Sequence, residues 1–144
     1  MQLHPAIVHF PIALLCMAAV LRVILLWSVR PWIEAALRLC LWTGTLTLAA
    51  AVLSGQSSIP SELPQGPAIV LEKHQRLGFT LLLWYGFLSL WELARSGRIR
   101  RGERVILVIA HLAGVILLLL TALYGGILVY DFGVGTKVFP RVAE

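Results

Sequence analysis

The chain has 144 residues, 59% of them hydrophobic and 13% charged, with a formal net charge of +5. A soluble domain carries about a quarter charged residues, so this balance excludes an ordinary water-soluble fold and suits four membrane spans with short connections and no separate soluble domain. The basic residues sit beside apolar runs and form no free basic face, which argues against a nucleic-acid partner and for orientation in a lipid bilayer.

The first predicted span covers residues 5–27 and opens on Leu3-His4-Pro5-Ala6-Ile7-Val8-His9-Phe10-Pro11-Ile12. Pro5 suits the first position of a helix, where its missing N–H would be unpaired anyway, so His4 is the expected cap and His9 lies just over one turn deeper. Pro11 falls inside the helix and frees the carbonyl of Ile7, which predicts a kink at that level. The lack of a basic leader and the length of the apolar run argue against a cleavable signal peptide. Arg22, near the far end, is expected to snorkel outward, and Ser28, Arg30 and Pro31 mark a tight turn.

The second span covers 32–55. Thr43, Thr47, Ala51 and Gly55 recur every four residues along it, a stripe suited to close helix approach in lipid. Cys16 and Cys40 lie in apolar stretches far from any Cys-x-x-Cys spacing and read as small core or lipid-facing residues. Residues 56–67 form a loop rich in Ser, Pro, Gln and Gly. A helix resumes near Ala68 with the polar run Glu72 to Arg76 and becomes the third span over 74–94, with Gly78 and Gly86 sharing a face. A basic turn follows over 95–102. The fourth span covers 104–130, with His111 early and Gly125-Gly126 late, and a short tail runs over 131–144.

Arg22, Arg30, Arg38, Arg95, Arg98, Arg100, Arg101 and Arg104 gather at the side of the two tight turns; only Lys73, Arg76, Lys137 and Arg141 lie at the other. The positive-inside rule places the arginine-rich turns in the cytoplasm. The expected fold is an all-α integral membrane four-helix bundle, N-out and C-out.

This topology puts His4, His9 and His74 at one outer level. His111 stands apart, seven residues or roughly 10 Å into the fourth span from the other side. Neutral imidazoles on two helices suit a transition metal or a haem iron. His9 and His74 are the candidate axial ligands of a b-type haem, or ligands of another metal, with His4 as the substitute for either. The plainer reading leaves His4 and His74 wet at the interface. His111 either hydrogen-bonds Thr43 or Thr45, binds a cofactor of its own, or meets its copy in a homo-oligomer. There is no His-Glu-x-x-His, no Gly-rich phosphate loop, no Gly-x-Ser-x-Gly elbow and no carboxylate pair inside a span, so no catalytic residue is assigned and the chain does not read as an enzyme on its own. Glu34 with Arg38 is an expected ion pair at a helix end, and Glu92 near Arg22 is a second.

The opening Leu3-His4-Pro5-x-x-Val8-His9-Phe10-Pro11-Ile12 and the closing Gly125-Gly126-x-Leu128-Val129-Tyr130-x-x-Gly133-Val134-Gly135 resemble a bacterial family of predicted four-span membrane proteins, catalogued as a domain of unknown function. His74 corresponds to the family's mid-chain histidine, so the resemblance covers nearly the whole chain. It implies a bacterial cytoplasmic (inner) membrane location, in which the charge count above places both termini in the periplasm. Some members are joined to cytochrome c-type domains, which implies redox work with a quinone or a cytochrome c as partner; this is analogy, not a site argument. The competing reading is a non-catalytic accessory subunit of a larger respiratory or photosynthetic membrane complex, with the small-residue stripe and the tail as contact surfaces.

Overall fold

The computed structural model describes residues 4–56, 63–95 and 98–136. Their elements are α1 (His4–Ile7), α2 (His9–Ile24), α3 (Pro31–Gln56), α4 (Gln65–Ala94) and α5 (Arg101–Tyr130). Pro11 explains why the first span is written as two elements. It has no N–H to offer the carbonyl of Ile7, and the helix is interrupted at Val8. Hydrogen bonds still bridge the break: the Val8 N–H reaches the His4 carbonyl at 3.2 Å and the Ile12 N–H reaches the Val8 carbonyl at 3.4 Å. From His4 to Ile24 the span is about 31 Å at 1.5 Å per residue, the thickness of a hydrocarbon core.

The other boundaries follow from local chemistry. Pro31 opens α3, where a proline costs nothing. The helix that contains the third span begins at Gln65, earlier than the sequence suggests, and carries the polar run with it. At the start of α5 the Glu103 carboxylate accepts the Arg100 N–H at 3.4 Å and bonds from Arg95 and Trp91. Past its end Gly133 takes φ 67°, and the Val134 and Gly133 N–H groups close onto the carbonyls of Leu128 and Val129 at 2.8 and 3.1 Å. Residues 137–144 of the expected tail lie outside the described residues.

Each helix packs most closely on its hairpin partner, α2 on α3 and α4 on α5; α3 also meets α4, and α2 meets α5. The order around the bundle is therefore α2, α3, α4, α5, with α2 and α4 on one diagonal. Leu15, Leu41, Leu48, Leu81, Leu88, Leu107 and Leu118 fill the centre, and Leu21, Leu25, Ile33 and Leu37 form a second cluster near the arginine-rich turns. The outside is equally apolar. Leu39, Leu46 and Leu53 on α3 and Ile109, Ile116 and Leu123 on α5 recur every seven residues and are exposed. Helices α3, α4 and α5 are each long and apolar enough to cross a membrane. With an apolar exterior and an apolar interior, the chain is a membrane helical bundle.

Lipid offers no hydrophobic drive for one helix to seek another, so close fit and polar contacts must hold the bundle. The close fit is at Gly44 and Gly114. A Cβ at Gly44 would stand 2.7 Å from Leu15 Cδ2, and one at Gly114 would stand 2.7 Å from Tyr85 Oη. Of the pair expected to make a packing face, Gly78 has Val52 at 3.9 Å and Gly86 faces open space. Gly44→Val and Gly114→Val should each lower thermal stability in detergent by about 1–3 kcal/mol, the usual cost of overpacking. Gly86→Ala should leave the midpoint unchanged or higher, since only helix propensity alters there. Thermal unfolding followed by circular dichroism checks the contrast.

Candidate functional site

The two ends of the bundle carry different chemistry. At the end where the first span begins, His4 and His74 face one another across the diagonal, ring centres 6.3 Å apart and planes at 86°. Each ring is fixed by a neighbouring helix. His4 Nδ1 lies 2.8 Å from the Ala51 carbonyl of α3, with Ser54 Oγ at 3.3 Å, and His74 Nδ1 lies 2.9 Å from the Thr121 carbonyl of α5. A carbonyl only accepts, so each Nδ1 carries the proton and donates it. In the neutral imidazole Nε2 is then the bare, ligand-capable nitrogen on both rings. A donated N–H to a carbonyl is also the usual support behind a metal-bound histidine.

Two glycines make this seating possible. A Cβ at Gly55 would stand 3.0 Å from His4 Cε1, and one at Gly125 would stand 3.1 Å from His74 Cε1. The small-residue stripe on the second span thus ends as the bed of an imidazole, and the closing Gly-Gly motif supplies the bed of another. Both histidines are half-buried rather than freely wet. His9 is exposed on the outside of the bundle. The structure brings His4, not His9, to His74.

His111 is fully buried in the other half. Its Nδ1 donates to the Leu107 carbonyl one turn back on its own helix at 2.8 Å. The expected bond to Thr43 or Thr45 is not formed. Thr43 donates to the Leu39 carbonyl, while Thr45 bonds the Leu41 carbonyl and Ser89 Oγ. His111 Nε2 and Tyr85 Oη remain buried without a hydrogen-bond partner.

Near the arginine-rich turns, Arg22 and Glu92 form a salt bridge with each side chain 3% exposed. Arg22 does not snorkel: α4 offers it a carboxylate across the diagonal, and pairing there is cheaper than an unpaired charge among leucines. A cleft of about 200 Å³ opens beside the pair, lined by Arg38, Glu34 and Arg104 among others. The expected Glu34–Arg38 pair spans 4.0 Å. Cys16 and Cys40 are free thiols, half-buried and packed against the core.

Among the described residues, no group of three or more His, Cys, Asp and Glu side chains gathers in a way that could hold a metal ion. Nothing in the sequence marks the carbonyls of Ala51 and Thr121 as the anchors of His4 and His74, because a backbone acceptor has no residue signature. The glycine one turn beyond each, Gly55 or Gly125, is the only visible sign.

A family model described as a predicted membrane protein, DUF2231, matches residues 1–138. No curated protein and no solved structure matches the chain.

The buried ion pair makes its own prediction. Arg22→Leu or Glu92→Leu alone should destabilise the bundle by about 3–5 kcal/mol, because each leaves an uncompensated charge in the core. The double variant Arg22→Leu/Glu92→Leu should recover most of that loss. Unfolding of all three in the same detergent measures the coupling.

Proposed function

The chain belongs to the DUF2231 family of predicted membrane proteins, and from that footing we propose that it is a small haem-binding membrane protein serving electron transfer, with His4 and His74 as the residues that would hold the haem. The observation that carries this reading is the His4–His74 pair, with both Nδ1 protons committed to carbonyls and ring centres 6.3 Å apart. Both rings would hold the group through Nε2, the nitrogen that the Nδ1 bonds leave uncommitted.

The number of donors favours a haem over a bare ion. A tetrahedral zinc site needs four ligands, and the chain gathers two imidazoles here. A haem brings most of its iron's ligands with it and would ask only these two imidazoles of the chain. A different transition metal, completed by small ligands, is the variant of the same reading. A b-type haem, when bound, supplies a one-electron couple. The chain's part is to fix two half-buried imidazoles through their Nδ1 bonds to backbone carbonyls of neighbouring helices.

Orientation gives the reading its cellular sense. The excess of arginines at the two tight turns supports a cytoplasmic location for them, and so a periplasmic location for both termini and the histidine pair, in a bacterial inner membrane. A quinone within the bilayer or a cytochrome c on the outer surface is then the electron partner within reach.

The test is a visible absorption spectrum, oxidised and dithionite-reduced, of protein purified mildly from its native membrane. Haem b bands are expected in the wild type and in His9→Ala, and their loss in both His4→Ala and His74→Ala. Bands that survive His4→Ala and vanish in His9→Ala would return His9 to the ligand set. A colourless wild type would overturn the haem reading and favour an accessory subunit of a larger membrane complex.

A further inference from the structure

Residues 70 apart in this chain occupy equivalent places in the fold. Helices α2 and α4 end at Ile24 and Ala94, and α3 and α5 begin at Pro31 and Arg101. The buried positions follow the same offset: Pro11 with Leu81, Leu15 with Tyr85, Ala18 with Leu88, Leu37 with Leu107, Leu48 with Leu118. Contacts repeat as well as positions. Gly44 meets Leu14 and Leu15, and Gly114 meets Trp84 and Tyr85. His4 bonds the Ala51 carbonyl and rests on Gly55; His74 bonds the Thr121 carbonyl, also 47 residues on, and rests on Gly125.

Two pairs of equivalent residues touch each other. His4 meets His74 at one end, and Arg22 pairs with Glu92 at the other. Equivalent residues related by a two-fold rotation can meet only on its axis. The two contacts are 18 residues apart on each helix, about 27 Å at 1.5 Å per residue. They define a line down the bundle, parallel to the spans.

We propose that the chain is a tandem repeat of one helical hairpin, related by a two-fold axis along the membrane normal, and that the His4–His74 site is a composite of two equivalent half-sites. Each half-site is a histidine on the first helix of a hairpin, with a backbone carbonyl and a glycine on the second. The ligand lies on the axis and takes one nitrogen from each half, which selects a centre with two equivalent opposite faces, such as the iron of a planar macrocycle. That ligand class rests on the function proposed above; the repeat and the paired half-sites do not.

The experiment uses the full-length protein with ¹⁵N-labelled histidine, in lipid nanodiscs. Without ligand, His4 and His74 should both show Nδ1 protonated and Nε2 bare. Gly55→Ala should displace the His4 signals as Gly125→Ala displaces those of His74, each leaving the other histidine less affected. On titration with hemin, the Nε2 signals of both histidines should be lost together at one equivalent per chain, with equal loss of binding in His4→Ala and His74→Ala. Opposite tautomers for the two histidines, or the same one histidine displaced by both Gly55→Ala and Gly125→Ala, would overturn the proposal. Paired tautomers and paired glycine effects without hemin uptake would support the two half-sites and overturn only the haem reading.

Discussion

The Arg22–Glu92 pair is the interaction on which the bundle's arrangement depends. Two charges removed from water in a low-dielectric core are tolerated only when they meet with good geometry. These two sit on diagonal helices, α2 and α4, which share no close backbone approach. For them to meet, both helices must turn those faces inward, and the rotation of each helix about its own axis is then set. Leucine packing alone would not set it in lipid, where the outside of the bundle is as apolar as the inside. The same rotation brings Leu15 onto Gly44 and Tyr85 onto Gly114 on the flanking helices.

Once those rotations are fixed, the far end follows. On the continuous α4, eighteen residues is five turns, so the face that carries Glu92 also carries His74; on the first span the same eighteen residues separate His4 and Arg22 across the bridged break at Val8. The imidazoles arrive at the axis because the charges are on it. Between the two ends lie the buried leucines Leu15, Leu48, Leu81 and Leu118. They separate the histidine pair from the polar cleft near the arginine-rich turns.

Much of this was legible from the residues. The spans, the break near Ile7 and the turn before Pro31 follow from apolar length and proline chemistry; the Arg22–Glu92 pairing was one of two readings of Arg22, and its burial was not legible. The choice between His4 and His9 was harder. Five residues at 100° each place them about 140° apart on a helix, so one faces the bundle and the other faces away, but Pro11 obscures the phase at that level. The bond from His111 to its own helix leaves no trace in sequence, because the acceptor is a backbone carbonyl. The repeat was also hidden. What the halves share is the placement of glycines, helix ends and one histidine, and most lipid-facing positions are interchangeable apolar residues with no identity to keep.

The axis also explains why the halves agree at one end and differ at the other. A residue on a two-fold axis meets its own equivalent, so identical residues are tolerable there only if they suit themselves. Two imidazoles do, since each directs its Nδ1–H to a backbone carbonyl of a neighbouring helix rather than to the other ring. Two arginines or two glutamates would not: like charges buried side by side repel without any compensating pair. The inner self-contact therefore had to become complementary, Arg22 against Glu92. Around it the second hairpin alone carries Tyr85, Ser89 and His111, where the first has Leu15, Ala19 and Leu41. Symmetry is retained where two like imidazoles meet, and it is broken where buried charge requires two unlike partners.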